Sequence, residues 1–163
     1  MMAWMSDRKR VAMGATLVAF LLLAGAYIFQ YGFGYAPCDM CWYQRYPYFA
    51  VIGLGLLALL FRLFDRVWYL ALITGLIALD AVIAAYHVGI EQKWWKGPDT
   101  CTSNLAGAGS AEDLLAALQN TQLVLCDEIV WSLFGISMAG YNFLIASATV
   151  AVCLYALVRG KNA

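Results

Sequence analysis

Apolar residues dominate four stretches of the chain: Val11 to Tyr31, Trp42 to Phe61, Val67 to Ile90, and Ile136 to Val158. Each is long enough to cross the hydrocarbon layer, which takes a helix of about 20 residues to span ~30 Å. Between the stretches the polar residues are confined to short turns, with one exception. The turn Arg62 to Arg66 is so short that the second and third spans must be antiparallel neighbours, and the outer connection Gly32 to Cys41 is short as well. The segment Glu91 to Gly135 is long enough to carry structure of its own. The pattern predicts an all-α membrane protein, a four-transmembrane-helix bundle forming a single domain over residues 1–163.

Inside the long segment, Ser110-Ala-Glu-Asp113 reads as a capping-box variant with acidic residues in the first turn. Leu114, Leu115, Leu118 and Leu125 then recur at helical spacing opposite Asn120 and Thr121. The second outer loop is therefore predicted to hold a short amphipathic helix lying in the membrane interface. Trp94 and Trp95, flanked by Lys93 and Lys96, mark an interfacial belt where the third span leaves the bilayer. Ala81, Ala85 and Gly89 form a small-residue ridge on that span, which predicts close helix packing.

Composition agrees: 64% of the 163 residues are hydrophobic, and the mean hydropathy is +0.73. Net charge is zero, so no nucleic-acid partner is implied; the arrangement of charge is more telling. Arg8, Lys9, Arg10, Arg62, Arg66, Arg159 and Lys161, seven of the ten basic residues, fall on one side. The positive-inside rule assigns that side, and with it both termini, to the cytoplasm. Asp39, Glu91, Asp99, Glu112, Asp113, Asp127 and Glu128 fall on the other. Arg8-Lys9-Arg10, the apolar run and Ala24-Gly25-Ala26 also fit a cleavable signal peptide. Retention is expected instead, because the run continues through Phe29 and its loss would leave an odd number of spans.

Four of the five cysteines, Cys38, Cys41, Cys101 and Cys126, lie in the outward-facing segments. There the environment is oxidising, and four thiols can form two disulfides. In Cys38-Asp-Met-Cys41 one thiol is within reach of the other, and a helix N-terminus beside them favours the thiolate that performs disulfide exchange. Pro37 restricts the entering backbone, and Pro47 must start or kink the following helix. Purely structural disulfides and a zinc site of four cysteines are the competing readings, though only one pair has the close spacing that zinc sites favour. A metal site using Cys and Met is thinner still, since Met40 alone lies near the cysteines. Cys153, inside the fourth span, reads as an inert small apolar residue.

Arg45 stacks on one helical face with Cys38 and Cys41. A guanidinium near the hydrocarbon costs roughly 2.5–3.5 kcal/mol at a helix centre and less toward its edge. It is a candidate for stabilising a thiolate or a reduced quinone oxygen, the alternative being to snorkel to the headgroups. His87, the single histidine, lies near the outer end of the third span and is a candidate to hydrogen-bond a bound quinone. Asp80, two turns deeper, is a weaker candidate.

The segment Pro37-Cys38-Asp-Met-Cys41-Trp-Tyr-Gln-Arg45-Tyr-Pro47 resembles the first outer motif of the bacterial disulfide bond formation protein B family, DsbB. The likeness extends over nearly the whole chain. It includes four spans, His87, two separated loop cysteines, and Cys126-Asp-Glu-Ile-Val-Trp131-Ser-Leu-Phe-Gly135 leading into the last span. The CxxC alone is a weak signal, whereas the ordered set is specific. The resemblance implies an inner-membrane thiol:quinone oxidoreductase supporting disulfide bond formation. A reduced DsbA-type periplasmic thiol oxidase would attack a Cys101–Cys126 disulfide at Cys101. Cys126 would pass electrons to the Cys38–Cys41 pair, and Cys41 would reduce a ubiquinone or menaquinone held by Arg45 and His87, with no metal required. Such a partner is poised at about −120 mV, a known value for DsbA, so each 30 mV of shortfall in its oxidant costs about 1.4 kcal/mol. A quinone in the lipid offsets that shortfall. Vitamin K epoxide reductase-like proteins also pair a membrane CxxC with two loop cysteines, but place the CxxC late in the chain rather than at the second span.

Overall fold

The structure is a computed structural model that describes residues 7–98 and 125–160. Helix α1 (Arg8–Tyr27) starts at Asp7, whose carboxylate accepts the Arg10 N–H, and runs directly into a π turn at Ile28–Gly32. Helix α2 spans Asp39–Phe61 and ends at Arg62 in the left-handed conformation. Helix α3 spans Val67–Glu91. A two-stranded antiparallel hairpin, β1 (Ser132–Leu133) and β2 (Ile136–Ser137), leads into helix α4 (Met138–Arg159). The four helices are each long and apolar enough to cross a membrane, as the hydropathy pattern predicts. Outward-facing Leu56, Leu59, Leu60 and Val82 are exposed, as expected of a surface that meets lipid.

Two boundaries differ from the prediction. Helix α2 begins at Asp39 rather than Trp42 because Cys38, in extended backbone, acts as its N-cap: the Sγ accepts the Cys41 N–H at 3.4 Å. The helix therefore runs through Pro47 instead of starting there. Ile136, expected to open the fourth span, is instead in β2. The hairpin turn is Phe134–Gly135, with φ of +51° and +78°. Positive φ at both central residues is the geometry that matches the twist of a two-residue hairpin. The amphipathic helix expected over Ser110 to Leu125 lies outside the described residues, apart from Leu125 itself.

The core is built largely from small residues. Ala12, Ala15 and Ala19 of α1 meet Ala58 of α2, Ile73 and Ile77 of α3, and Ala146, Cys153 and Ala156 of α4. Without a hydrophobic drive between helices in lipid, such residues allow backbones to approach and gain dispersion contact. At Gly55 a Cβ would come within 2.5 Å of the Thr16 methyl, so α1 and α2 approach closely there. The Arg8 guanidinium donates to the carbonyls of Ala156 (3.3 Å) and Leu157 (3.2 Å), tying the start of α1 to the end of α4. The predicted ridge holds only in part. Ala81 is in the core, but Gly89 receives the Trp95 indole, whose Nε1 donates to the Tyr86 carbonyl at 3.0 Å. Trp94 and Trp95 follow the end of α3 directly and remain exposed.

Candidate thiol redox site

The N-cap role of Cys38 brings the CxxC into the first turn of α2, at the end of the bundle remote from Arg8. Cys38 and Cys41 are free thiols with their sulfurs 3.0 Å apart. That is longer than an S–S bond of about 2.05 Å but close enough for a thiol hydrogen bond. The hydrogen bond with Cys41, and then burial, push the Cys38 thiol above the ordinary thiol range.

Packing of α3 against this turn places His87 Nε2 3.6 Å from Cys38 Sγ. Cys126 completes the cluster from the other connection. Its sulfur, Cys38 Sγ and a ring nitrogen of His87 all lie within 4.8 Å of one another, and all three residues are buried. Cys126 is disulfide-bonded. Cys101 lies outside the described residues. Cys153 sits in the α1–α4 core, far from this cluster in the packing, as the sequence suggests.

Arg45 lies one turn beyond Cys41 and is only 5% exposed. Its guanidinium carbon lies 4.8 Å from the centre of the Tyr27 ring and 4.7 Å from that of Trp42. Two aromatic faces thus hold the charge by cation–π attraction. Nη1 donates to Gln30 Oε1 at 2.6 Å and Nη2 to the Ala26 carbonyl at 3.5 Å. Nε is buried with no hydrogen-bond partner among the described residues. The guanidinium is held inside the protein by α1 and α2 rather than reaching outward.

Cys38, Cys41, Arg45 and His87 line one cavity of about 340 Å³. Much of the rest of its lining is apolar, with Leu22, Phe29 and Ile145 among its members. The structure therefore brings five of the six predicted site residues together, since Cys126 joins these four through Cys38 and His87. It also adds polar groups the sequence reading passed over. Gln44 Nε2 lies 2.7 Å from His87 Nδ1, Gln44 Oε1 accepts from Asn142 at 2.7 Å, and Tyr48 and Asp80 extend the chain of contacts into the bundle. Gln44 was visible inside the motif, and Asn142 as an amide in the fourth span. At the rim, Ser137 donates to Glu91, joining the start of α4 to the end of α3.

The profile of the family described as "Disulfide bond formation protein DsbB" matches residues 8–156. The chain is 32% identical over 171 residues to "Disulfide bond formation protein B" of Verminephrobacter eiseniae, covering 98% of this chain and 93% of the relative. It is 28% identical over 152 residues to the protein of the same name from Marinobacter nauticus, covering 88% of each. It is also 28% identical over 169 residues to "Putative protein-disulfide oxidoreductase DsbI" of Shewanella oneidensis, covering 92% of this chain and 78% of the relative. No solved structure matches the chain. With a profile match across nearly all its length, four membrane helices and a CxxC dithiol at the start of α2, the chain belongs to the DsbB family of multi-pass membrane oxidoreductases that act in disulfide bond formation.

Proposed function

We propose that this single-domain chain is a thiol:quinone oxidoreductase that re-oxidises a DsbA-type periplasmic dithiol oxidase. The proposed setting is the bacterial inner membrane, with both termini cytoplasmic and the active cysteines periplasmic. The separation of basic from acidic residues along the sequence supports that orientation.

The observation that carries the reading is the cavity beside the CxxC. It joins Cys41 to a buried guanidinium with one N–H unpartnered among the described residues, beside apolar lining. A quinone fits this donor set: its ring and tail suit the apolar side, and a carbonyl oxygen suits Arg45 Nε. His87 would form part of the wall. When bound, the quinone supplies a sink for two electrons and two protons.

The closeness of Cys126 to Cys38 supports the following thiol steps. A thiolate of the reduced donor attacks Cys101 of a Cys101–Cys126 disulfide, and Cys126 leaves with the electron pair. The second donor thiolate then releases Cys101, and the donor departs oxidised. Cys126 attacks Cys38 of the Cys38–Cys41 disulfide, forming Cys38–Cys126 and expelling Cys41 as thiolate. Cys101 attacks Cys126, re-forming the first disulfide and expelling Cys38. Two electrons now rest on Cys38 and Cys41, next to the cavity.

The test is quinone reduction in detergent with a reduced DsbA-type protein as donor, comparing wild type, Cys41→Ser and Cys101→Ser. Quinone-dependent turnover that both substitutions abolish is the expected result. No turnover with either ubiquinone or menaquinone would overturn the reading.

A further inference from the structure

Two amides, the buried Gln44 and the half-buried Asn142, connect the polar centre of the bundle to the Cys38 thiol. Gln44 Nε2 lies 3.3 Å from the Met40 carbonyl oxygen and 2.7 Å from His87 Nδ1. A carbonyl only accepts, so the edge of Gln44 facing Met40 is its NH2 group. The other N–H of that group points at Nδ1, which must therefore accept. A neutral imidazole has one ring proton, and here it is left on Nε2, the nitrogen that faces Cys38 Sγ at 3.6 Å.

The far side of Gln44 is fixed in the same way. Its Oε1 accepts from Asn142 Nδ2 at 2.7 Å, and that nitrogen also reaches Asp80 Oδ2 at 3.0 Å. Asn142 Oδ1 is thereby turned toward the Tyr48 hydroxyl at 2.7 Å. The same hydroxyl lies 2.6 Å from Asp80 Oδ2. One phenol proton cannot serve both oxygens at once, so Tyr48, Asn142 and Asp80 form one network of short contacts. Asp80 is fully buried, and its Oδ1 has no hydrogen-bond partner among the described residues.

From this chain of donors we infer that Gln44 and Asn142 are positioning residues that lock His87 in its Nε2–H tautomer, making the imidazole a hydrogen-bond donor to Cys38. The inference rests on the relay proposed above, in which Cys38 is expelled as a thiolate when Cys101 attacks Cys126. The electron pair of the broken Cys38–Cys126 bond goes to Cys38, whose sulfur lies 3.6 Å from Nε2, and the Cys126 backbone also hydrogen-bonds the His87 ring. The Asp80–Tyr48 pair anchors the far end, so the orientation of one ring proton is set by groups from α2, α3 and α4 together.

The chain contains a single histidine, so histidine labelled with 15N gives one imidazole to read in the full-length protein in detergent. Long-range 1H–15N correlations are expected to show a protonated Nε2 and an unprotonated Nδ1. The reverse assignment would overturn the lock, and it is also the tautomer that a metal bound at Nε2 would require. Gln44→Glu replaces the donor with an acceptor and should move the proton to Nδ1. Loss of a hydrogen bond to a charged sulfur should then slow turnover roughly ten- to hundredfold. A Gln44→Glu protein that keeps Nε2–H overturns the role of Gln44; if that variant does not fold, the wild-type spectrum decides alone. The spectrum needs neither donor nor quinone. A wild-type protein with Nε2–H but no quinone reduction would sink the relay and leave the lock standing, whereas Nδ1–H in an active protein would sink only the lock.

Discussion

The two ends of this bundle solve opposite problems with the same four helices. At the Arg8 end, alanines and Gly55 let the helices close on one another, and Cys153 is one more small side chain in that core. At the CxxC end the helices are held apart by larger polar side chains, leaving a cavity with Cys41 and Arg45 in its wall. The difference shows what makes a cysteine reactive: its composition is shared between Cys153 and Cys41, but only Cys41 has a second thiol, a cation and open space beside it.

Substitutions at the two ends test that contrast. Cys41→Ser is expected to abolish quinone-linked turnover; substantial residual activity would mean another thiol delivers the electrons. Arg45→Gln should raise the KM for quinone roughly ten- to hundredfold, the scale of a lost hydrogen bond from a charged group, while donor-driven thiol exchange continues. An unchanged KM would remove Arg45 from the quinone site. At the close-packed end, Gly55→Val should lower unfolding stability in detergent by about 1–3 kcal/mol through overpacking against Thr16, with the quinone KM unaltered. The smallest effect is expected of Cys153→Ala: about 1 kcal/mol of stability or less, and unchanged turnover. If it impaired turnover as Cys41→Ser does, the division between a packing end and a reacting end would collapse.

Much of this was legible in the chain. The four spans stand out because each crossing demands a long apolar run, and the cysteines, Arg45 and His87 stand out because such groups are rare beside hydrocarbon. The hairpin was hidden, since Leu133-Phe-Gly-Ile136 is apolar enough to pass for the start of a span, and Phe134 gives no hint of positive φ. The start of α2 was misplaced because a cysteine N-cap is not a usual signal, serine and aspartate being the common caps. Asp80 was noticed but its partners were not. Gln44 and Asn142 are uncharged, and their contact joins residues 98 positions apart, a pairing that no local pattern encodes.

The π turn at Ile28–Gly32 contains Gln30, the residue that receives Arg45 Nη1. A π turn is one residue of surplus absorbed into a helix without disturbing what precedes it, and such bulges recur at functional sites. Deleting Ile28 or Phe29 would move Gln30 back by one position, about 100° around the helix axis. Gln30 would swing off the guanidinium while Ala12, Ala15 and Ala19 kept their places in the core. The first helix therefore works as two phases spliced together: one keyed to packing, the other free to be retuned in evolution or by design, one residue at a time, to whatever the arginine must hold.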